Sequence, residues 1–234
     1  MPIQQIYKQR FARLKNWCRA LLSCLLTTVL LGLSYGQLQA ASLHLSEQLL
    51  NRVKEKYGED ASKRLNNLAK MVDKNKEMAE KDKVEAVNDF FNQVPYYTDI
   101  VHWKQKDYWA TPIEKLATFG GDCEDYAIAK YFTLRELGVG EKKLRIMYVK
   151  ALQWNEAHMV LAYYTDPKKP PLVLDNINPK LLPANKRKDL LPVYSFNADG
   201  LYIAKAKSSG KRVGGSEKLK LWTSLMKKMD GSDI

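Results

Sequence analysis

The chain has 234 residues, 45% hydrophobic and 27% charged, which suits one sizeable core or two small ones and excludes a fibrous or disordered protein. Lys and Arg number 38 against 26 acids, a formal charge of +12, and the three cysteines are an odd count, so at least one thiol is unpaired within the chain. No apolar run reaches the roughly 18 residues that usually span a bilayer.

Lys8, Arg10, Arg13, Lys15 and Arg19 stand in residues 1–19 without a single acid. They precede the uncharged stretch Ala20–Leu33 and small residues at Ser34-Tyr35-Gly36 and Ala40-Ala41. A basic start, a short apolar centre and a small-residue exit describe residues 1–40 as a signal peptide, or as an export segment retained as an N-terminal anchor. Two cleavage sites compete. Leu38 fits poorly before a cut after Ala40, whereas Ser34-Tyr35-Gly36 follows the small-x-small rule.

Setting this segment aside leaves residues 41–234 as a single domain with 33 bases against 26 acids, a net of +7. It also removes Cys18 and Cys24, so the exported part keeps Cys123 alone. In a compartment where thiols are normally paired, such a residue is either buried and inert or kept for its reactivity. The lysines are spread along helices and the 205–212 loop without an aromatic-interleaved patch, so nucleic acid is not an expected partner.

Residues 43–93 read as helical: Leu45, Leu49, Val53 and Tyr57, then Leu65, Leu68 and Val72, then Val84, Val87, Phe90 and Phe91 recur at spacings of three and four. Asp60 and then Asn75 or Lys76 mark the boundaries. Residues 94–119 are aromatic and irregular, with Pro95 and Pro112 blocking long helices. After Gly120-Gly121 an apolar helix runs over Asp122–Leu137 and stops at Gly138. The period then changes. Leu144–Leu152 and His158–Tyr164 form a hairpin around Gln153–Glu156, Leu172–Leu174 is a third strand, and Pro192–Phe196 pairs with Leu201–Ala204. Lys205–Gly215 is polar, glycine-rich and expected to be mobile, and Glu217–Met229 is a final amphipathic helix. Helices followed by an antiparallel sheet packed on the Cys123 helix give an α+β fold.

Cys123 falls in the first turn of its helix, where free N–H groups and the helix dipole favour a thiolate. The preceding glycines allow unusual backbone and a close approach by a substrate chain; a helix cap with an incidental cysteine is the plainer alternative. Of three histidines, His44 starts the first helix, His102 lies in the aromatic loop in a surface or packing role, and His158 opens a strand suited to face the thiol as a base. Asp175, one strand over, suits the role of orienting that imidazole, with Asn176 and Asp166 as weaker candidates. Asp122, Glu124 and Asp125 crowd the thiol. They either complement the helix dipole or hold a divalent cation, for which hard oxygen ligands suit Ca²⁺.

Tyr108-Trp109-Ala110-Thr111-Pro112, the block Gly120-Gly121-Asp122-Cys123-Glu124-Asp125-Tyr126-Ala127, His158 in AHMVLAYY and Asp175 in LVLDN together resemble the bacterial transglutaminase-like cysteine proteinases, and among them the LapG-type periplasmic proteases. The resemblance runs from about residue 45 to 205. It implies a papain-like or transglutaminase-like fold, a Cys123–His158–Asp175 triad, and a Ca²⁺ site from Asp122, Glu124 and Asp125. It further implies cleavage of a large surface biofilm adhesin near its N-terminus at a double-alanine site, in the periplasm. The inhibitory partner it implies is an inner-membrane c-di-GMP receptor of the LapD type. A transglutaminase-type acyltransferase and a non-catalytic periplasmic binding module are the alternatives.

Overall fold

The computed structural model describes residues 45–205 and 208–231; the expected signal peptide over 1–40, with Cys18 and Cys24, and His44 lie outside the described residues. Three helices come first: α1 (Glu47–Tyr57), α2 (Glu59–Asn75) and α3 (Glu80–Phe91). Their apolar positions are those of the three- and four-residue repeat, with Leu49, Val53, Leu65, Leu68, Val84, Val87 and Phe91 all buried. The break between α1 and α2 falls at Gly58, whose φ of +88° is open to glycine, rather than at Asp60.

The aromatic segment 94–119 is more ordered than expected. It holds a short turn, α4 (Asp99–His102), and a helix, α5 (Pro112–Thr118). Pro112 starts α5 instead of blocking it, because a missing N–H costs nothing at the first helical position. Thr111 and Glu114 complete a reciprocal capping box there. At the other end Arg64 of α2 donates to the free carbonyls of Leu116 and Ala117, at 2.6 and 2.7 Å.

Helix α6 (Cys123–Glu136) is the axis of the molecule. Every residue from Asp125 to Leu134 is buried, so it lies enclosed on all sides, with α3 and α5 against it and the sheet across from them. Seven strands make one antiparallel sheet: β1 (Leu144–Ala151), β2 (Glu156–Tyr163), β3 (Leu172–Leu174), β4 (Leu182–Pro183), β5 (Leu190–Asn197), β6 (Gly200–Lys205) and β7 (Ser208–Gly214), in the order β4-β3-β2-β1-β5-β6-β7. β7 corrects the expectation of a mobile 205–215 loop. It pairs along β6, with Tyr202 opposite Arg212 and Ile203 opposite Lys211. A strand ladder is made of main-chain bonds, so polar residues and glycine can supply an edge strand whose side chains face water. A final helix, α7 (Lys220–Gly231), follows a short 3₁₀ turn, buries Trp222 against Phe132 and Phe196, and adds Leu225 to the same core.

The sheet sorts its residues by the two-residue repeat. Met159, Leu161 and Tyr163 of β2 join the main core beneath α6. Val160, Ala162 and Tyr164 join a second apolar cluster on the opposite face, with Met147, Val149 and Val173. Strand β3 pairs only with Leu161–Tyr163, so β2 has a single strand neighbour, β1, along Glu156–Val160. The cleft opens at that gap.

Candidate active site

Two lobes of the cleft meet at Cys123. One, about 410 Å³, is walled by Asp99, Asp107, Trp109, Asp122, Glu124 and His158; the other, about 390 Å³, by Tyr96, Trp154, Ala157, His158, Asn176 and Ile177. Cys123 heads α6, half-buried, the one cysteine among the described residues.

Packing neighbours require the Gly120-Gly121 turn that delivers it. A Cβ on Gly120 would collide with the His102 ring and Tyr97, and one on Gly121 with the Asp125 carboxylate. Gly121 also sits at φ +138°, outside the range of L side chains. His102 is therefore a packing residue: its ring stacks on Tyr97, and Nε2 shares a 2.8 Å hydrogen bond with the Thr118 hydroxyl.

His158 and Asp175 are both buried and joined by a 2.8 Å bond from Nε2 to Oδ1. With Nε2 engaged, Nδ1 is the ring nitrogen left for other partners. Asp175 Oδ1 also accepts from the Ile177 N–H at 3.0 Å, and Oδ2 from Arg187 Nη2 at 2.7 Å. Burial alone would raise this carboxyl, but the bonds from His158, Ile177 and Arg187 outweigh it and hold it down to about 2. Of the weaker candidates, Asp166 accepts from the Lys168 N–H in a turn, and Asn176 lines the cleft without bonding the imidazole.

The carboxylates form a larger cluster than the three expected. Oxygens of Asp99, Asp122 and Asp125 lie within 4.8 Å of one another, as do those of Asp99, Asp107 and Glu124. Asp122 and Glu124 are grouped with the Cys123 sulfur in the same way. Asp122 is the N-cap residue of α6 but makes no side-chain cap, so helix capping does not explain it. Asp99 Oδ2 accepts from the Tyr108 N–H at 2.5 Å and Asp125 Oδ1 from the Ala110 N–H at 2.8 Å. Asp99 Oδ1, Asp122 Oδ1 and Asp125 Oδ2 are buried with no hydrogen-bond partner among the described residues. Against five carboxylates stands Lys115, fully buried, its ammonium 3.3 Å from the centre of the Tyr126 ring. Burial pushes Lys115 down to about 8, opposed by Asp125 and its neighbours.

These carboxylates oppose the help that the helix dipole gives the thiol. Burial, then the charges of Glu124 and Asp122, push the Cys123 thiol well above its usual range, and Sγ donates to Glu124 Oε2 at 3.1 Å. A dipole worth about half a charge does not offset several carboxylates. Burial likewise lifts Asp122 to about 9 and Asp125 to about 7. Orphaned, buried, hard oxygens around an excess of negative charge are the donor set a divalent cation requires, so the residues fit Ca²⁺. Asp99 and Asp107 were not recognised in the sequence, where both are single acids in an irregular aromatic loop.

A family model described as bacterial transglutaminase-like cysteine proteinase matches residues 54–189. Solved structures of Legionella pneumophila LapG are similar along most of both chains. The EGTA-treated form is 44% identical with a TM-score of 0.70 and covers 78% of this chain and 96% of that one. A second LapG structure is 44% identical with a TM-score of 0.69 and the same coverage. The calcium-bound form is 43% identical with a TM-score of 0.68 and covers 79% of this chain and 99% of that one. No curated protein matches the chain.

Proposed function

Because the chain belongs to the bacterial transglutaminase-like cysteine proteinase family, we propose that it is a periplasmic, Ca²⁺-dependent cysteine endopeptidase that cuts a large cell-surface biofilm adhesin near its N-terminus, at a double-alanine site. Release of the adhesin would disperse the biofilm, and an inner-membrane c-di-GMP receptor of the LapD type would hold the enzyme inactive when the second messenger is abundant. The observation that carries the reading is one cleft lined by Cys123, by His158 with its buried partner Asp175, and by carboxylates of which Asp99 and Asp122 keep a buried oxygen without a partner among the described residues. Similarity to LapG, solved in calcium-bound and EGTA-treated forms, supports the metal and the protease class together.

In the mechanism His158 donates its Nε2–H to Asp175, so Nδ1 takes the proton of Cys123. The thiolate attacks the peptide carbonyl, and the N–H of Cys123 at the head of α6 supplies one donor to the developing oxyanion. Trp109, in the same cleft, is the candidate for the second. The imidazolium returns its proton to the departing amine, leaving a thioester. Water activated by His158 then releases the acyl group. Asp122, Glu124 and Asp125, joined by Asp99 and Asp107, would hold Ca²⁺, whose charge offsets the carboxylates that oppose the thiolate. Asp122, Glu124 and Asp125 lie within two residues of the nucleophile, and Asp99 and Asp107 line the same cleft, so metal and reaction would share a single site.

Products decide between this reading and acyl transfer to an amine. Incubation with the adhesin's N-terminal region and a fluorescent primary amine should give two unlabelled fragments. Labelled or cross-linked product would make the protein a transglutaminase; no reaction of any kind would leave the binding-module reading standing.

A further inference from the structure

Arg187 is 3% exposed, a buried cation outside the cleft that neither the sequence nor the chemistry above required. It follows the 3₁₀ turn Ala184–Lys186 at the β4 edge of the sheet. One side of its fork, Nη2, donates to Asp175 Oδ2 at 2.7 Å; Nε and Nη2 also hold Asp189, at 3.0 and 2.7 Å. The Asp189 carbonyl accepts from Leu152 just beyond β1, which ties the Arg187 loop to the sheet.

The surroundings make a packing role insufficient. The stem lies in a small apolar pocket with Met147, Val149, Val160, Val173 and Leu190, belonging to the second cluster of the sheet. An apolar side chain would suit those walls, whereas a buried guanidinium carries a desolvation cost that only its two carboxylates offset. Nε and Nη2 together grip Asp189, which fixes the guanidinium plane and with it the direction of the single Nη2 bond to Asp175. Asp175 needs fixing, because the terminal torsion of a carboxylate is broad and roughly twofold. His158 and Ile177 both approach Oδ1, so Arg187 is the side chain that anchors Oδ2. By the strand repeat, Asp175 falls in register with Val173 of the second cluster. That cluster thus serves as the seat of the chain of contacts Arg187–Asp175–His158.

We infer that Arg187 is a positioning residue for the Cys123 reaction: held by Asp189, it locks the Asp175 carboxylate and through it the ring orientation of His158. The kinetic part of the inference rests on the protease reading, but its main readout does not.

The test uses the full chain in Ca²⁺-containing buffer and measures the rate at which iodoacetamide alkylates Cys123, which needs no substrate. Arg187→Met, if folded by circular dichroism, should alkylate 10- to 100-fold more slowly, the scale of a misplaced catalytic group. On a peptide of the adhesin's N-terminal region, kcat should fall by a similar factor with KM little changed, and Arg187→Lys should recover part of the loss. Because the effect passes through Asp175, Asp175→Asn combined with Arg187→Met should be no slower than Asp175→Asn alone. Wild-type alkylation in folded Arg187→Met, or losses that add in the double variant, would overturn the inference. Should Arg187→Met fail to fold, Arg187→Lys is judged alone, and an unchanged rate there overturns it equally. If no peptide is cut by any variant, the protease reading fails while the alkylation series still reads the coupling.

Discussion

At Asp175 a buried carboxylate holds a proton only below about pH 2, against 3.8 for an ordinary aspartate, and this sets a response to acid. A group with a lowered folded pKa contributes stability that is present above its unfolded value and lost as pH falls through the folded one. Here that window runs from about pH 4 down to pH 2, and the contribution is about 2 kcal/mol. Urea melts of wild type and Asp175→Asn should therefore differ at pH 5 and converge as pH approaches 2; a gap that stays constant would contradict the assignment. Gly121 gives a second prediction. Since a methyl group there meets both a forbidden φ and the Asp125 carboxylate, Gly121→Ala should lower Tm and shrink the rise in Tm on adding Ca²⁺. At this scale the legible residues were those with a local reason: a lone thiol beside two glycines at a helix start, and histidine and aspartate on successive strands. Asp99, Asp107 and Arg187 were hidden because their partners are distant in sequence: Asp99 meets Asp122 and Arg187 meets Asp175 only once the chain is folded.

Among the elements, α5 shows how a local signal can be misread. Proline reads as a barrier to long helices, yet Thr111-Pro112-Ile113-Glu114 spells a helix start, with Thr111 and Glu114 capping reciprocally. Thr111→Ala should cost about 1 kcal/mol in urea unfolding, the usual scale for a lost N-cap. A change below a few tenths would mean the box contributes nothing. The helical repeats of α1 to α3, the glycine stop after α6 and the first hairpin were legible because period and punctuation coincide. β7 was not, because an edge strand leaves its polar side chains in water and is held by a ladder that any sequence can form.

For the whole molecule, the formal charge is +12, yet the fold gathers a local excess of the opposite sign at the site. Five carboxylates converge beside the nucleophile, with Lys115 buried among them and Lys106 on the cleft wall, so the local need is for a further cation. Ca²⁺ binding the folded form alone should stabilise it by about 2.7 kcal/mol at a free concentration 100-fold above Kd, and EGTA should remove that increment. A Tm indifferent to EGTA would contradict the metal site. The most direct measurement of the central claim is mass mapping of the adhesin's N-terminal region after incubation with the purified protein in Ca²⁺, in EGTA, and with Cys123→Ala. A single cut at paired alanines in Ca²⁺, absent from the other two reactions, is the predicted result. A cut that persists in Cys123→Ala would contradict it.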